Sequence, residues 1–180
     1  MKQLTPQLVK TLMEARKSLQ LGAFNQAERE ILSILKVRPD FIEAQASLAF
    51  IYASTKQHSK ATEQLKILLK ANPSHAQTQL NLANSLYEQK LYDEAIKHYK
   101  AAMKLEPKLI DALINCSISY RMLKNHNAAI ACLQRALDSD KTNARAFHVL
   151  GMVYVDIEDI NRALHYLECA AGLADRKSVV

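Results

Sequence analysis

Apolar residues recur along this chain at helical spacing in short blocks, and the blocks themselves recur every 34 residues. In AQTQLNLANSLYEQ the apolar positions are Leu80, Leu82, Ala83, Leu86 and Tyr87. After a short polar break, YDEAIKHYKAAMKLEP carries Ala95, Ile96, Tyr99, Ala102 and Met103 at the same kind of spacing. Both stretches predict amphipathic helices, so each period is a helix, a turn and a second helix. The phase holds through five copies. Small residues stand at Ala15, Ala49, Ala83, Ser117 and Gly151, and alanine at 27, 61, 95, 129 and 163. Large apolar residues recur at Ile31, Leu65, Tyr99, Leu133 and Leu167, and at Leu48, Leu82, Cys116 and Leu150. Small positions facing large ones are what two closely crossing helices need, because the small side chain admits the neighbouring backbone and the large one fills the groove beside it.

Turn chemistry marks the element ends. Asn25, Ser59, Asp93, Asn127 and Asn161 stand at the start of each second helix, where a short polar side chain can accept a hydrogen bond from an orphan backbone N–H. Pro39, Pro73 and Pro107 share one phase and close the second helices, since proline lacks the donor that continuing the helix requires. Pro6, after Thr5, suits the first turn of the opening helix. With three glycines and no alternating apolar runs, strands are not supported. The class is all-α.

These residues resemble the tetratricopeptide repeat family, a 34-residue helix–turn–helix with leucine–glycine, tyrosine, alanine and proline at set spacings. The match is carried by NLANSLYEQKLYDEAIKHYKAAMKLEP and HVLGMVYVDIEDINRALHYLECAA. The resemblance implies a right-handed superhelical solenoid of about five repeats, a single domain over residues 5–174 with units near 8–41, 42–75, 76–109, 110–143 and 144–174, and a tail at 175–180. Two departures stand out. Glu14 and Ser18 give the first copy a wetter face, and Lys141 and Asp175 replace proline in the last two copies.

Composition changes this picture little. The 180 residues are 49% apolar, enough for one continuous core, and no apolar run approaches membrane-spanning length. Cys116, Cys132 and Cys169 follow no metal-ligand or disulfide spacing, which points to a reducing compartment, by default the cytoplasm. The net charge of +6 includes periodic lysines (Lys36, Lys70 and Lys104; Lys66 and Lys100), but these rows lack interleaved arginines or aromatics and read as a solvated outer wall. No phosphate-binding glycine loop or nucleophile motif is present, and His165 and Glu168, three apart, have no further ligands to complete a metal site. Asn115-Cys116-Ser117 is a formal glycosylation sequon in the middle of a helix. The reading is a non-catalytic protein without cofactor or metal.

The family resemblance implies that the first helices line a concave groove. The residues left over there after core packing are Phe50, Leu80, Asn81, Asn84, Tyr87, Ile114, Asn115, Ile118, Arg121, Met122, Arg145, His148, Met152 and Val155. Ile114, Ile118 and Met122 form one stripe, and Asn81 and Asn115, one period apart, suggest an amide ladder for an extended peptide backbone. The ladder is similar to that in the repeat domains of eukaryotic protein O-glycosyltransferases. The family's clamp for a peptide C-terminal carboxylate is matched by Asn84, Asn115 and Arg145, while Leu80 and Val149 stand where it has basic residues. The expected partner is therefore a protein or an apolar or mixed peptide segment, with nucleic acid disfavoured and no membrane insertion. The last helix ends apolar at Leu164, Leu167, Ala170, Ala171 and Leu173 with no polar capping helix after it. That leaves two further expectations: self-association through this end, or a role as the substrate-recruiting arm of a larger glycosyltransferase- or sulfotransferase-like enzyme.

Overall fold

A computed structural model describes residues 5–178, and every regular element among them is helical. The order is α1 (Pro6–Gln20), α2 (Phe24–Val37), α3 (Ile42–Ser54), α4 (His58–Ala71), α5 (Ala76–Glu88), α6 (Tyr92–Leu105), α7 (Ile110–Met122), α8 (His126–Ser139), α9 (Ala144–Asp156) and α10 (Ile160–Ser178). Odd helices are the first and even helices the second of each predicted pair. The chain forms two compact units, one through Ser74 holding α1–α4 and one from His75 holding α5–α10. Within each unit, every helix packs on its neighbour in chain order.

The phase series become the core. Ala15, Ala27, Ala61, Ala83, Ala95 and Ala129 are completely buried, as are Ile31, Leu82, Cys116, Ser117 and Leu133. The fit of small against large is tightest in the last hairpin. A Cβ placed on Gly151 would lie 2.7 Å from Leu167 Cγ, so the large side chain occupies the space the glycine leaves open.

The hairpin bends are one motif repeated. Gly22, Lys56, Lys90, Lys124 and Glu158 all take positive φ between 57° and 69° just after a first helix. In each bend the following N–H reaches back to the helix: Gln57 to the Tyr52 carbonyl (2.8 Å), Leu91 to Leu86 (3.0 Å) and Asn125 to Tyr120 (2.9 Å). This is the Schellman closure, which satisfies carbonyls that the helix end would otherwise orphan.

The second helices begin earlier than the sequence suggests. Asn25, Ser59, Asp93, Asn127 and Asn161 lie inside the first turn, and the capping position falls two residues before each of them. Asn125 occupies that position on α8 and accepts from Ala128 N at 3.2 Å, and Asp159 accepts from Arg162 N at 3.0 Å. Ala23, Gln57 and Leu91 make no side-chain cap: alanine and leucine have no acceptor to offer, and the Gln57 amide oxygen accepts from Lys60 Nζ instead. The opening helix does follow its signal, with Pro6 at the first position and Thr5 Oγ1 accepting from Leu8 N.

Helix ends fall two residues before Pro39, Pro73 and Pro107. Helix α8 stops at the same phase with Lys141 in the proline's place, because the Asp140 carboxylate turns back to accept from Thr142 N (3.0 Å) and Oγ1 (2.9 Å). At the corresponding point of α10, Ala174 offers no such acceptor and Asp175 no proline stop. The helix runs on to Ser178.

Candidate functional site

In the second unit α5, α7 and α9 lie side by side, and their shared face holds a cavity of about 300 Å³. It is lined by Asn84, Tyr87, Glu88, Tyr99, Asn115, Ile118 and Arg145. Five of these residues, all but Glu88 and Tyr99, are among those expected from the sequence to face a groove.

A chain of hydrogen bonds runs through the cavity. Arg145 Nη2 donates to Asn115 Oδ1, Asn115 Nδ2 donates to Asn84 Oδ1 (2.9 Å), and the Tyr99 hydroxyl donates to the same Asn84 oxygen (2.7 Å). Direction is fixed at the arginine end, because a guanidinium can only donate. Asn115 must therefore offer its oxygen to Arg145 and its NH₂ to Asn84, which in turn must offer its oxygen and leave Nδ2 as a donor with no partner among the described residues. Tyr99 supports this from below. Burial, and then the Cys116 and Tyr87 groups nearby, push its phenol well above the ordinary range, so it stays protonated and donating.

Charge in the cavity is nearly balanced. Arg145 Nη1 lies 3.3 Å from the Asp111 carboxylate, and Glu88 supplies a second acid on the wall. The Tyr87 phenol is also raised, first by burial and then by Tyr92 and Glu88, and its ring lies 5.4 Å from that of Tyr92. The site sets hydrogen-bonding amides and a guanidinium beside the apolar Ile118 side chain.

The remaining expected residues separate into three groups. Met122 and Val155 are exposed, Ile118 and Met152 half-buried, and His148 lies at the surface. Leu80 and Ile114, expected in the trough, are core residues instead at 3% and 1% exposure. Leu80 shares its stripe with buried Ala76 and Ala83, and Ile114 lies three residues before buried Ser117. His148, one period beyond Ile114, is exposed. The stripe from Ile114 through Ile118 to Met122 thus climbs from core to surface. Val149, like Leu80, is buried, so both positions where the carboxylate clamp would carry charge are part of the packing.

Two polar expectations are rearranged. Asn81 accepts from Gln77 within its own helix (2.9 Å), so the amide that meets Asn115 is Asn84. Arg121 is engaged by both oxygens of Asp156 across α7 and α9; that hydrogen bond holds the Asp156 carboxyl below its usual range and raises the guanidinium. Phe50 belongs to the first unit, where it is exposed and leans edge-on against Phe24 at 6.3 Å.

Tyr99 and Glu88 are the residues sequence reasoning missed. A signal existed for Tyr99: it alone carries a hydroxyl in the series Ile31, Leu65, Tyr99, Leu133, Leu167. Glu88, at the end of α5, had none. Elsewhere, Lys36, Lys66, Lys70, Lys100 and Lys104 are exposed on second helices. Among the described residues no three His, Cys, Asp or Glu side chains cluster as metal ligands, and no helix is long and apolar enough to cross a membrane.

The sequence model of the tetratricopeptide repeat family matches residues 74–142. No curated protein matches the chain by sequence. Among solved structures, the crystal structure of MamA is 21% identical with a TM-score of 0.85, covering 92% of this chain and 97% of its own. A MamA fragment beginning at residue 41, from Desulfovibrio magneticus RS-1, is 17% identical with a TM-score of 0.90, covering 97% of this chain and 98% of its own. At this identity the likeness establishes the fold, that of a tetratricopeptide-repeat solenoid.

Proposed function

Because the chain carries tetratricopeptide repeats, we propose that it is a non-catalytic protein-interaction scaffold whose second unit takes an extended peptide segment across α5, α7 and α9. The observation that carries this reading is the one-way hydrogen-bond chain from Arg145 to Asn84, which leaves the Asn84 amide N–H as a donor in a cavity also lined by Tyr87 and Ile118. That donor suits a backbone carbonyl of the segment. Ile118, Met122 and Met152 would take its apolar side chains, with the Tyr87 ring beside them.

The balance of charge favours an internal segment over a free carboxyl end. A terminal carboxylate needs surplus positive charge, whereas Arg145 already faces Asp111, and buried Leu80 and Val149 supply none. Each fully covered apolar anchor contributes roughly 1.5–3 kcal/mol. Against an association cost of about 4–15 kcal/mol, three or four partly covered anchors and a few hydrogen bonds correspond to weak, readily reversible binding. The three unbridged thiols, Cys116, Cys132 and Cys169, support a cytoplasmic setting for this scaffold.

The test is titration calorimetry against a panel of extended, mixed apolar–polar peptides with blocked ends. Wild-type protein is expected to bind a subset, and Asn84→Ala and Ile118→Asp to weaken that binding about tenfold. Both side chains are only partly buried, and because Asn84→Ala removes the acceptor of the buried Tyr99 hydroxyl, thermal unfolding of each variant first checks that it is folded at the titration temperature. Equal affinity in the variants, or no binding to any blocked peptide, would remove this reading.

A further inference from the structure

Cys116 on α7 and Cys132 on α8 lie across one helical hairpin, both buried and unbridged, and close enough that each thiol acts on the ionisation of the other. The peptide site uses neither. Two cations act on Cys132: Arg135, three residues on along α8, and Lys100 from α6, whose ammonium lies 5.5 Å from the centre of the Tyr120 ring on α7. The cluster therefore joins three helices around a pair of sulfur atoms.

The two thiols are not equivalent. Cys132 keeps 8% of its surface accessible and Cys116 none, so a small reagent reaches Cys132 first. The Cys116 thiol, and then Arg135 and Lys100, hold the Cys132 thiol below its ordinary range against the opposing effect of burial. The Cys132 thiol and burial push Cys116 up. Since the thiolate is the reactive form, Cys132 is suited to attack and Cys116 to follow. Cys169, on α10, has only the exposed His165 ring nearby, 4.0 Å from its sulfur, and no second thiol.

We propose that Cys116 and Cys132 form a two-thiol modification site, which a hydroperoxide converts to a disulfide spanning the α7–α8 hairpin. In the first step the Cys132 thiolate attacks the peroxide oxygen; the O–O bond breaks, the departing oxygen takes a proton, and sulfenic acid and water (or an alcohol) are formed. In the second, Cys116 sulfur displaces the sulfenic hydroxyl, which leaves as water with the Cys116 proton, and the S–S bond closes. Two thiols are oxidised by two electrons and one peroxide is reduced.

The test treats the whole chain with hydrogen peroxide near neutral pH, blocks remaining thiols with an alkylating reagent, and maps tryptic peptides by mass spectrometry. The expected product joins the peptide of residues 109–121 to that of residues 125–135, with one peroxide consumed per disulfide. Cys116→Ser should instead leave Cys132 trappable as sulfenic acid by a dimedone reagent. The wild-type cross-link stands as a result even if that variant folds poorly. Oxidation of Cys169 while the pair remains reduced, or oxidised Cys132 that never cross-links in wild type, would overturn the proposal.

Discussion

The two units share one repeat phase and differ in what they place on it. Phe50, Asn84, Ile118 and Met152 are one period apart, as are Leu65 and Tyr99. In the first unit the Phe50 position gives an exposed ring against Phe24, above a core leucine. In the second the equivalent Asn84 meets a buried tyrosine hydroxyl and the Asn115 amide. The same helical frame yields an apolar edge in one place and an oriented polar chain in the other. Residues that agree with the period build the frame, and those that depart from it build the site.

The strongest way to break this difference is to give the second unit the first unit's residue. Tyr99→Leu removes a buried ring's contacts and one of the hydrogen bonds to Asn84, and should cost about 2–4 kcal/mol. Hydrogen–deuterium exchange resolved by peptide should show the loss in α5–α8 and leave α1–α4 unchanged. Gly151→Ala tests the small-against-large rule at its tightest point. It forces Leu167 aside for about 1–3 kcal/mol, whereas Ala49, at the same phase in the first unit, already carries a Cβ comfortably. Denaturant midpoints of the Gly151 variant measure that cost, and no change would mean that the last hairpin is looser than the geometry implies.

The bends sharpen the comparison at about 1 kcal/mol. Gly22→Ala should destabilise, since its φ is +69° with open space around it, and Lys90→Gly, at the same bend in the second unit, should shift stability in the opposite direction. Thermal unfolding of the two variants checks the signs. Smallest are the inter-helix ion pairs. Asp156 has a folded pKa held down by Arg121, so its contribution is present above the unfolded carboxylate pKa and lost as pH falls through the folded one. The stability difference between wild type and Asp156→Asn should shrink on acidification across that window. The exposed Arg16–Glu43 pair of the first unit is worth about 0–1 kcal/mol and should fade with added salt.

The frame was legible because periodicity reports burial directly: the alanine series, the large series and the proline stops all landed where their phase put them. The caps were misread because the Schellman bend starts the next helix two residues earlier than the periodic polar position, and only Asn125 and Asp159 mark that point with a side-chain acceptor. Lys56, Lys90 and Lys124 concealed those bends by filling a position where only Gly22 signalled positive φ. Half of the site was visible as leftover polar residues on first helices. Leu80 and Ile114 were assigned to the wrong side because spacing within one helix does not report how wide a face the neighbouring elements bury. Tyr99 was hidden for the opposite reason: it satisfies the apolar pattern with its ring and reaches the site with its hydroxyl.

The identical bends carry one more consequence. Five bends with one backbone solution, accepting glycine, lysine or glutamate, make the turn inside each hairpin an interchangeable part. A first helix can be matched with a different second helix without inventing a new bend, so recognition can diversify by exchanging single helices while the turn between them stays as it is.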